Sequence, residues 1–516
     1  MRKTNSFART AMTTLLLLAI FPLAWSYDFV ADGIYYSVNE DGITTTVTND
    51  GEPLGWHFSD LYTDTVTIPD QVVNEGKTYT VTAIGEAAFL KCWNLHRVNL
   101  PATVKQIGDS AFCFCTKLTT VNLPEGITAI SDYTFDHCYS LSGVRLPGTL
   151  KTIGKSAFYC SWCDSVLTIP ESVESIGEEA FACCATVKRI DFGNGLKVIG
   201  PTAFRSCNGI NELSLPRSLE VIDYGAFMYC EGLTNIRISR SVNFIGSCAF
   251  QCCNITRMTV SPRNTTFDAR EDCNAIIETA TGKLVAGCVT SVIPESVTAL
   301  GDGCFCECVG LTTINIPPTV KAIGNDAFNS CYDLQSITLP AALESIGNQA
   351  FAGCEQLVSI TIPDAVTSIG DYAFFDCPWL DYVTLGRSLQ YIGYHCFDGC
   401  WLTMVTCRAT QPAVMADITS FERYGYFSQA VLRVPAPALD SYRTTDYWNL
   451  FPSIVAWGDV DGDDTVSISD VVSLIDLLLN GTNDLINDIN DDGSLSIADV
   501  TALIDYLLSG TYFSNN

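Results

Sequence analysis

Apolar positions between residues 67 and 403 recur with a period of 23. Phenylalanine stands at Phe89, Phe112, Phe135, Phe158, Phe181, Phe204, Phe227 and Phe250, then again at Phe305, Phe328, Phe351, Phe374 and Phe397. One unit reads Leu118-x-x-Val121-x-Leu123-Pro124-x-x-Ile127-x-x-Ile130, closing on Phe135-x-x-Cys138. Its first half places alternate side chains on one face of a short strand. The proline, lacking an N–H, then ends strand pairing. In most units glycine follows the second isoleucine, as in Ile107-Gly108, Ile323-Gly324 and Ile369-Gly370, and suits a turn there. The segment around the phenylalanine predicts a short helical return. A lone coil cannot hide its apolar face, so the coils must stack into one core. The expected fold is a repeat solenoid of short parallel strands with short helical or irregular returns.

The period fails in three places. Residues 27–66 alternate (Ile34 to Val38, Thr44 to Thr48) and break at Asn49-Asp50-Gly51, which predicts a β-hairpin cap. An oversized coil lies within 254–290, and its stretch from Phe267 to Thr281 is expected to loop out. Residues 404–456 lose the repeat and predict a C-terminal cap. Ahead of all this, Arg2, Lys3 and Arg9 precede an apolar run from Ala11 to Leu23 and the small-residue site Ala24-Trp25-Ser26. That pattern predicts a secretory signal over 1–26, with an uncleaved anchor as the alternative. No later stretch predicts a transmembrane segment.

The 24 cysteines of a chain with a secretory signal raise the prospect of disulfides. Twelve of them, among them Cys92, Cys207, Cys331 and Cys354, stand three residues after a repeat phenylalanine; only the Phe158 coil differs, with Ser161. Equal positions in stacked coils predict a ladder of small, buried, free thiols. Off the ladder, Cys160-x-x-Cys163 has a redox-motif spacing without the surrounding βαβ pattern, and Cys273 and Cys288 could close the oversized coil.

Charge narrows the function. With 57 acidic against 28 basic residues the net charge is −29, which argues against a nucleic-acid partner. The histidines His57, His96, His137 and His395 form no metal or protease pattern, and neither a nucleophile elbow nor a phosphate loop is present. His137 beside Cys138 invites a thiol-protease reading, but that cysteine belongs to the ladder. No catalytic residue is expected. Outward positions of the strands carry Arg97, Arg145, Arg189 and Arg237 in the first eight coils and mainly Ser and Thr beyond. They read either as a solvated sheet or as a ligand face, basic at one end.

From Gly458 onward there are twelve Asp and no Lys or Arg. Two loops repeat 29 residues apart: Asp459, Asp461, Asp463, Thr465 and Asp470, then Asp488, Asn490, Asp492, Ser494 and Asp499. Oxygen ligands at positions 1, 3, 5 and 12, with a backbone carbonyl at 7, suit a calcium ion. An amphipathic segment follows each loop.

Two resemblances follow. The I-G-x-x-A-F-x-x-C-x-x-L units resemble the BspA-like leucine-rich repeats of secreted Bacteroides-type proteins, which implies surface binding or adhesion and no shared catalytic site. Residues 458–512 resemble a type I dockerin, a calcium-dependent module that docks onto cohesin domains in polysaccharide-degrading complexes. This resemblance implies partner contacts at loop positions 10 and 11, here Ile468, Ser469, Ile497 and Ala498. Asp464 departs from it by standing at position 6, where glycine eases the turn. Together they imply a ligand-binding or adhesion protein with an unknown protein or glycan ligand. The alternative is a non-catalytic component of a polysaccharide-degrading complex with a cohesin-like partner.

Overall fold

The computed structural model describes residues 27–50, 62–162, 164–423, 426–481, 487–490, 492 and 494–509; the predicted signal segment lies outside them, as do His57, Cys163 and Gly493. The chain divides into two compact units, Met1–Glu212 and Leu213–Asn516.

In the first unit, Ile34–Val38 pairs antiparallel with Phe29–Ala31 and with Thr44–Thr48. Thr44–Thr48 then runs parallel to Lys77–Ile84, which pairs with Gln106–Ile107, so the hairpin merges into the first coil. Each coil contributes to two parallel ladders. In one, Val166–Ile169 pairs with Arg189–Phe192, each partner 23 residues on. In the other, Thr152–Ile153 pairs with Ser175–Ile176, and that strand with Val198–Ile199. The repeat phenylalanines are buried and stack face to face, Phe112 on Phe135 at 5.3 Å and Phe158 on Phe181 at 5.1 Å.

The returns are not helical. Alternate amides point sideways: Ala87, Phe89 and Lys91 donate to Asp109, Ala111 and Cys113 of the next coil at 2.7–2.9 Å. The intervening amides of Ala88, Leu90 and Cys92 donate back to Gly85, Ala87 and Phe89. A helix would direct every N–H along its own axis and leave none for the neighbour. The alternation comes from left-handed residues two before and two after each phenylalanine, such as Ala87 and Lys91 at φ 50 and 59. In exchange for that local strain every return amide of the coil is satisfied.

Glycine after the isoleucine also has a different reason from the one expected. Gly108 and Gly370 do not have positive φ; a Cβ on either would lie 2.5 Å from a backbone nitrogen of the preceding coil. Close approach excludes the side chain.

Cysteine is favoured at the ladder position because it is small and can still donate. Cys115 donates to the Phe89 carbonyl at 3.0 Å, Cys138 to Phe112 at 3.1 Å and Cys331 to Phe305 at 3.0 Å. Ser161 makes the same contact to Phe135 and accepts the Cys138 amide at 2.8 Å, so the one exception preserves the pattern. The ladder thiols are unbridged and ten are buried; half-buried Cys253 and Cys308 flank the oversized coil.

In the second unit the same architecture runs from Phe305 to Phe397 and gains Phe421, which stacks on Phe397 at 5.0 Å. The oversized coil does not loop out. Phe267–Asp268, Ile276–Glu278 and Lys283–Ala286 form an antiparallel sheet whose last strand joins the ladder at Ala299–Leu300. Phe267, Ala275, Ile276 and Ile277 are buried in the core, which an external loop could not achieve. Cys273 and Cys288 are unbridged there. Loss of the period at 404 does not end the strands either: Tyr382–Leu385, Met404–Cys407, Val431–Val434 and Ser453–Ala456 remain parallel neighbours. Helices Ile468–Leu479 and Ile497–Ser509 then pack around Trp457, Leu474, Ile489 and Leu503. Among the described residues no helix is long and apolar enough to cross a membrane.

Candidate functional site: an arginine-lined groove and two acidic loops

Period-2 alternation puts the strand arginines outward. Arg97, Arg145 and Arg189 are exposed in the first unit, and Arg237 in the second. Arg189 is neutralised locally, its guanidinium donating to both Asp191 oxygens at 3.0 Å. Around Arg237 the surface is different. Arg217, Arg237, Arg240 and Arg263 line one concavity of about 490 Å³, with Ser214, Ser239 and Ser261 between them. Arg257 adjoins Arg237 in a second concavity, and its strand, Arg257–Val260, pairs in parallel with Asn235–Ile238. All five arginines are exposed, and among the described residues none is held in an ion pair.

The oversized coil makes the groove. Asn264 donates to the carbonyls of Ser239 and Val242, both at 2.8 Å, and accepts the amides of Thr266 and Phe267. That anchor fixes Arg263 against the preceding coil. Sequence reasoning singled out Arg237 and missed Arg217, Arg240, Arg257 and Arg263, three of which lie outside strand positions. A signal existed: from 198 to 282 the chain has arginines and no lysine.

The acidic loops are built on their own hydrogen bonds. Asp459 accepts the amides of Gly462, Asp463 and Asp464 at 2.8–3.1 Å, and Asp461 accepts Asp463 at 3.2 Å. Asp463 accepts both the amide and the hydroxyl of Thr465. Asp459, Asp461 and Asp463 can each bring one oxygen within 4.8 Å of the others. Asp470 is buried and takes the amides of Val460, Asp461 and Ser467, which caps the first helix. The second loop repeats this: Asp488 and Asn490 accept the Asp492 amide, Asp492 accepts Ser494, and buried Asp499 takes Ile489, Asn490 and Ser496. Burial pushes the Asp459 carboxyl above its usual range, whereas donation from Ser494 and Asn490 holds Asp492 below it.

Asp464 has a reason of its own. Its φ of 66 is the strained conformation expected at position 6, but its carboxylate receives both nitrogens of Arg443 at 2.7 and 2.8 Å. The second loop is gripped too: buried Arg433 donates to the Asp488 carbonyl at 2.6 Å and to Thr406 Oγ1 at 3.1 Å, under the Trp457 ring. Ile468 and Ile497 are strongly exposed, and Ser469 and Ala498 are exposed beside them. His137 and Cys138 are not brought together; His137 bonds Asp136 at 2.5 Å while Cys138 is buried.

Comparison with known proteins accounts for the coils. A model of the BspA type leucine rich repeat region matches in six copies, over 82–167, 160–274 and 287–403. The chain belongs to this family. The BspA-type match ends at 403 and does not reach the acidic loops. Among solved structures, a leucine-rich repeat protein from Bacteroides ovatus is 26% identical, with a TM-score of 0.52 over 83% of this chain and all of that one. A leucine rich cell surface protein from Faecalibacterium prausnitzii is 27% identical, with a TM-score of 0.53 over 72% of this chain and 91% of that one. The pneumococcal vaccine antigen PcpA, at 18% identity and a TM-score of 0.52 over 83% of this chain and 98% of that one, shares the fold. No curated protein matches the chain.

Proposed function

We propose that this BspA-type protein is a secreted or surface-displayed binding protein whose ligand is an anionic glycan held in the groove of Arg217, Arg237, Arg240, Arg257 and Arg263. One observation carries the reading: five unpaired guanidinium groups sit together on a chain of net charge −29. Guanidinium forks suit sulfate and carboxylate groups bidentately. The serines between them, with Thr256, Thr259 and Asn264, offer partners for sugar hydroxyls. The signal-like N-terminus and the cell-surface relative from Faecalibacterium support a surface location.

Retention on immobilised dextran sulfate, against neutral dextran, tests this. The protein is expected to bind only the sulfated polymer and to elute with salt, since exposed ion pairs are screened. A triple R237Q/R240Q/R263Q variant should lose at least about tenfold in affinity, at roughly 0.5 kcal/mol or more per lost charge pair. Equal retention on both polymers, or an unaffected triple variant, would overturn the proposal.

Residues 458–512 we read as a dockerin-like calcium module that tethers the protein. Two sites would be held by Asp459, Asp461, Asp463, Thr465 and Asp470, and by Asp488, Asn490, Asp492, Ser494 and Asp499. Calcium would neutralise carboxylates that otherwise repel one another. Each helix also leaves an apolar stripe exposed: Ile468, Val472, Ile475 and Leu479 on one, Ile497, Ile504 and Leu508 on the other. That duplicated face favours a protein partner, a cohesin-like domain if the protein is a non-catalytic component of a polysaccharide-degrading complex. Calcium-dependent pull-down with cohesin domains would support the complex; binding to glycan without cohesin favours the adhesion reading.

A further inference from the structure

The first unit holds a pair of thiols unlike the ladder. Cys160 and Cys183 stand two residues after Phe158 and Phe181, at equal positions of adjacent coils, and both are half-buried. Lateral amide bonds fix them side by side: Cys160 donates to the Ala182 carbonyl at 2.8 Å and Cys183 to that of Arg205 at 2.7 Å. Coil spacing of about 4.8 Å falls within the Cα separation that a disulfide spans. Their sulfurs are in hydrogen-bond contact, and the Tyr159 hydroxyl also reaches Cys183. Arg205, held by Glu179 at 2.8 Å, lies beside Cys183.

We propose that Cys160 and Cys183 form a thiol–disulfide exchange site, with Cys183 as the attacking thiol and Cys160 as the resolving one, acting on a low-molecular-weight disulfide. The Cys183 thiolate attacks one sulfur of the reagent, whose S–S bond breaks; the departing thiolate takes the Cys160 proton. The Cys160 sulfur then displaces the second reagent thiolate from Cys183, and water returns to it the proton that Cys183 had released. The chain gains one inter-coil disulfide and loses two electrons, which leave with two molecules of reduced thiol.

The division of labour follows from the surroundings. Hydrogen bonds from Cys160 and Tyr159, with the positive charge of Arg205, hold the Cys183 thiol below its ordinary value. Cys160 is pushed far up by donating to Cys183 and by burial. Its neighbour Cys184 is buried and already donates to the Phe158 carbonyl at 3.3 Å. In the second unit Cys248 and Cys306 also touch; donation to Cys248 and burial, with the Glu307 carboxylate nearby, raise Cys306. At Cys183 the Cys160 contact is joined by the phenol and the guanidinium, which favour the thiolate further.

The reduced full-length protein treated with oxidised glutathione, followed by peptide mapping without reduction, tests the proposal. The Cys160–Cys183 crosslink should be the first product, with two equivalents of reduced glutathione released. C160S should stop at a mixed disulfide on Cys183 after one equivalent, and C183S should form neither. With iodoacetamide near pH 6, Cys183 should react about tenfold faster than an unperturbed thiol, its larger thiolate fraction outweighing the lower intrinsic reactivity. R205Q and Y159F should each reduce that advantage. A first crosslink elsewhere, C160S without the Cys183 adduct, or a labelling rate indifferent to R205Q and Y159F would overturn it.

Discussion

The coils and the C-terminal module are both repeats, yet they rest on opposite chemistry. The coils bury phenylalanines, isoleucines and thiols and tie neighbours together with sideways amides. Residues 458–516 contain no cysteine; the described ones among them pack a small core against Trp457 around Leu474 and Leu503, and the first loop converges carboxylates instead. A repeat alone therefore does not reveal the force that holds it. The residue type that recurs does: an apolar ladder needs only another coil, whereas the repeated carboxylates are where we propose a cation.

Alkali should break the coils first. Burial pushes Cys92 and Cys331 up to about 12, and Cys115, Cys207 and Cys354 well above the ordinary thiol value. A raised folded pKa favours the neutral thiol, so this stability is full below the unfolded value and is lost as pH climbs toward the folded one. At pH 10 each such thiol should forfeit about 2 kcal/mol relative to pH 7. Several together exceed the stability of an ordinary domain, so the coils of the reduced protein should unfold between about pH 9 and 10.5. Circular dichroism against pH would show it; a flat profile would mean the thiols are not buried.

Truncating one stacked ring comes next. Phe351→Ala should cost about 3–5 kcal/mol, read by denaturant unfolding of the coils, because Phe328 and Phe374 would both lose a face. The proposed calcium ligands follow. Replacing Asp459 and Asp488 with Ala should remove about 2.7 kcal/mol per site at 100 times the dissociation constant and leave the coils unchanged. The smallest effect belongs to Ser161→Cys, which restores the ladder thiol and should shift stability by less than about 1.5 kcal/mol. A large loss there would show that the serine hydroxyl, which bonds Phe135, Tyr159 and the Cys138 amide, has a role of its own.

Much of this was legible from spacing. Paired strand residues lie 23 apart, as the recurrence of Phe and Cys requires. What spacing could not convey was the backbone within a coil. Ala87, Tyr133 and Gln349 give no hint that they adopt left-handed conformations, since the sideways amide bonds that impose them exist only after stacking. The oversized coil hid a buried hairpin for a similar reason: Ile276 and Ile277 pair antiparallel with Ala286 and Leu284, a contact that the 23-residue spacing does not describe. The groove was half visible, because Arg237 occupies a strand position while Arg217, Arg240 and Arg263 converge on it from turns. Asp464, odd for a calcium loop, makes sense only once Arg443 of the neighbouring coil is seen to hold it.

Calorimetry of the reduced full-length protein, with calcium and with chelator, tests most directly whether two chemistries hold this chain. With calcium the module should melt in a small transition of its own beside the larger one of the coils. Chelator should abolish a small transition belonging to residues 458–512 and lower the main one by no more than the grip of Arg433 and Arg443 on the loops provides. Identical traces in both conditions would contradict the account, for the acidic loops would then be linkers and the coils the only folded part that matters.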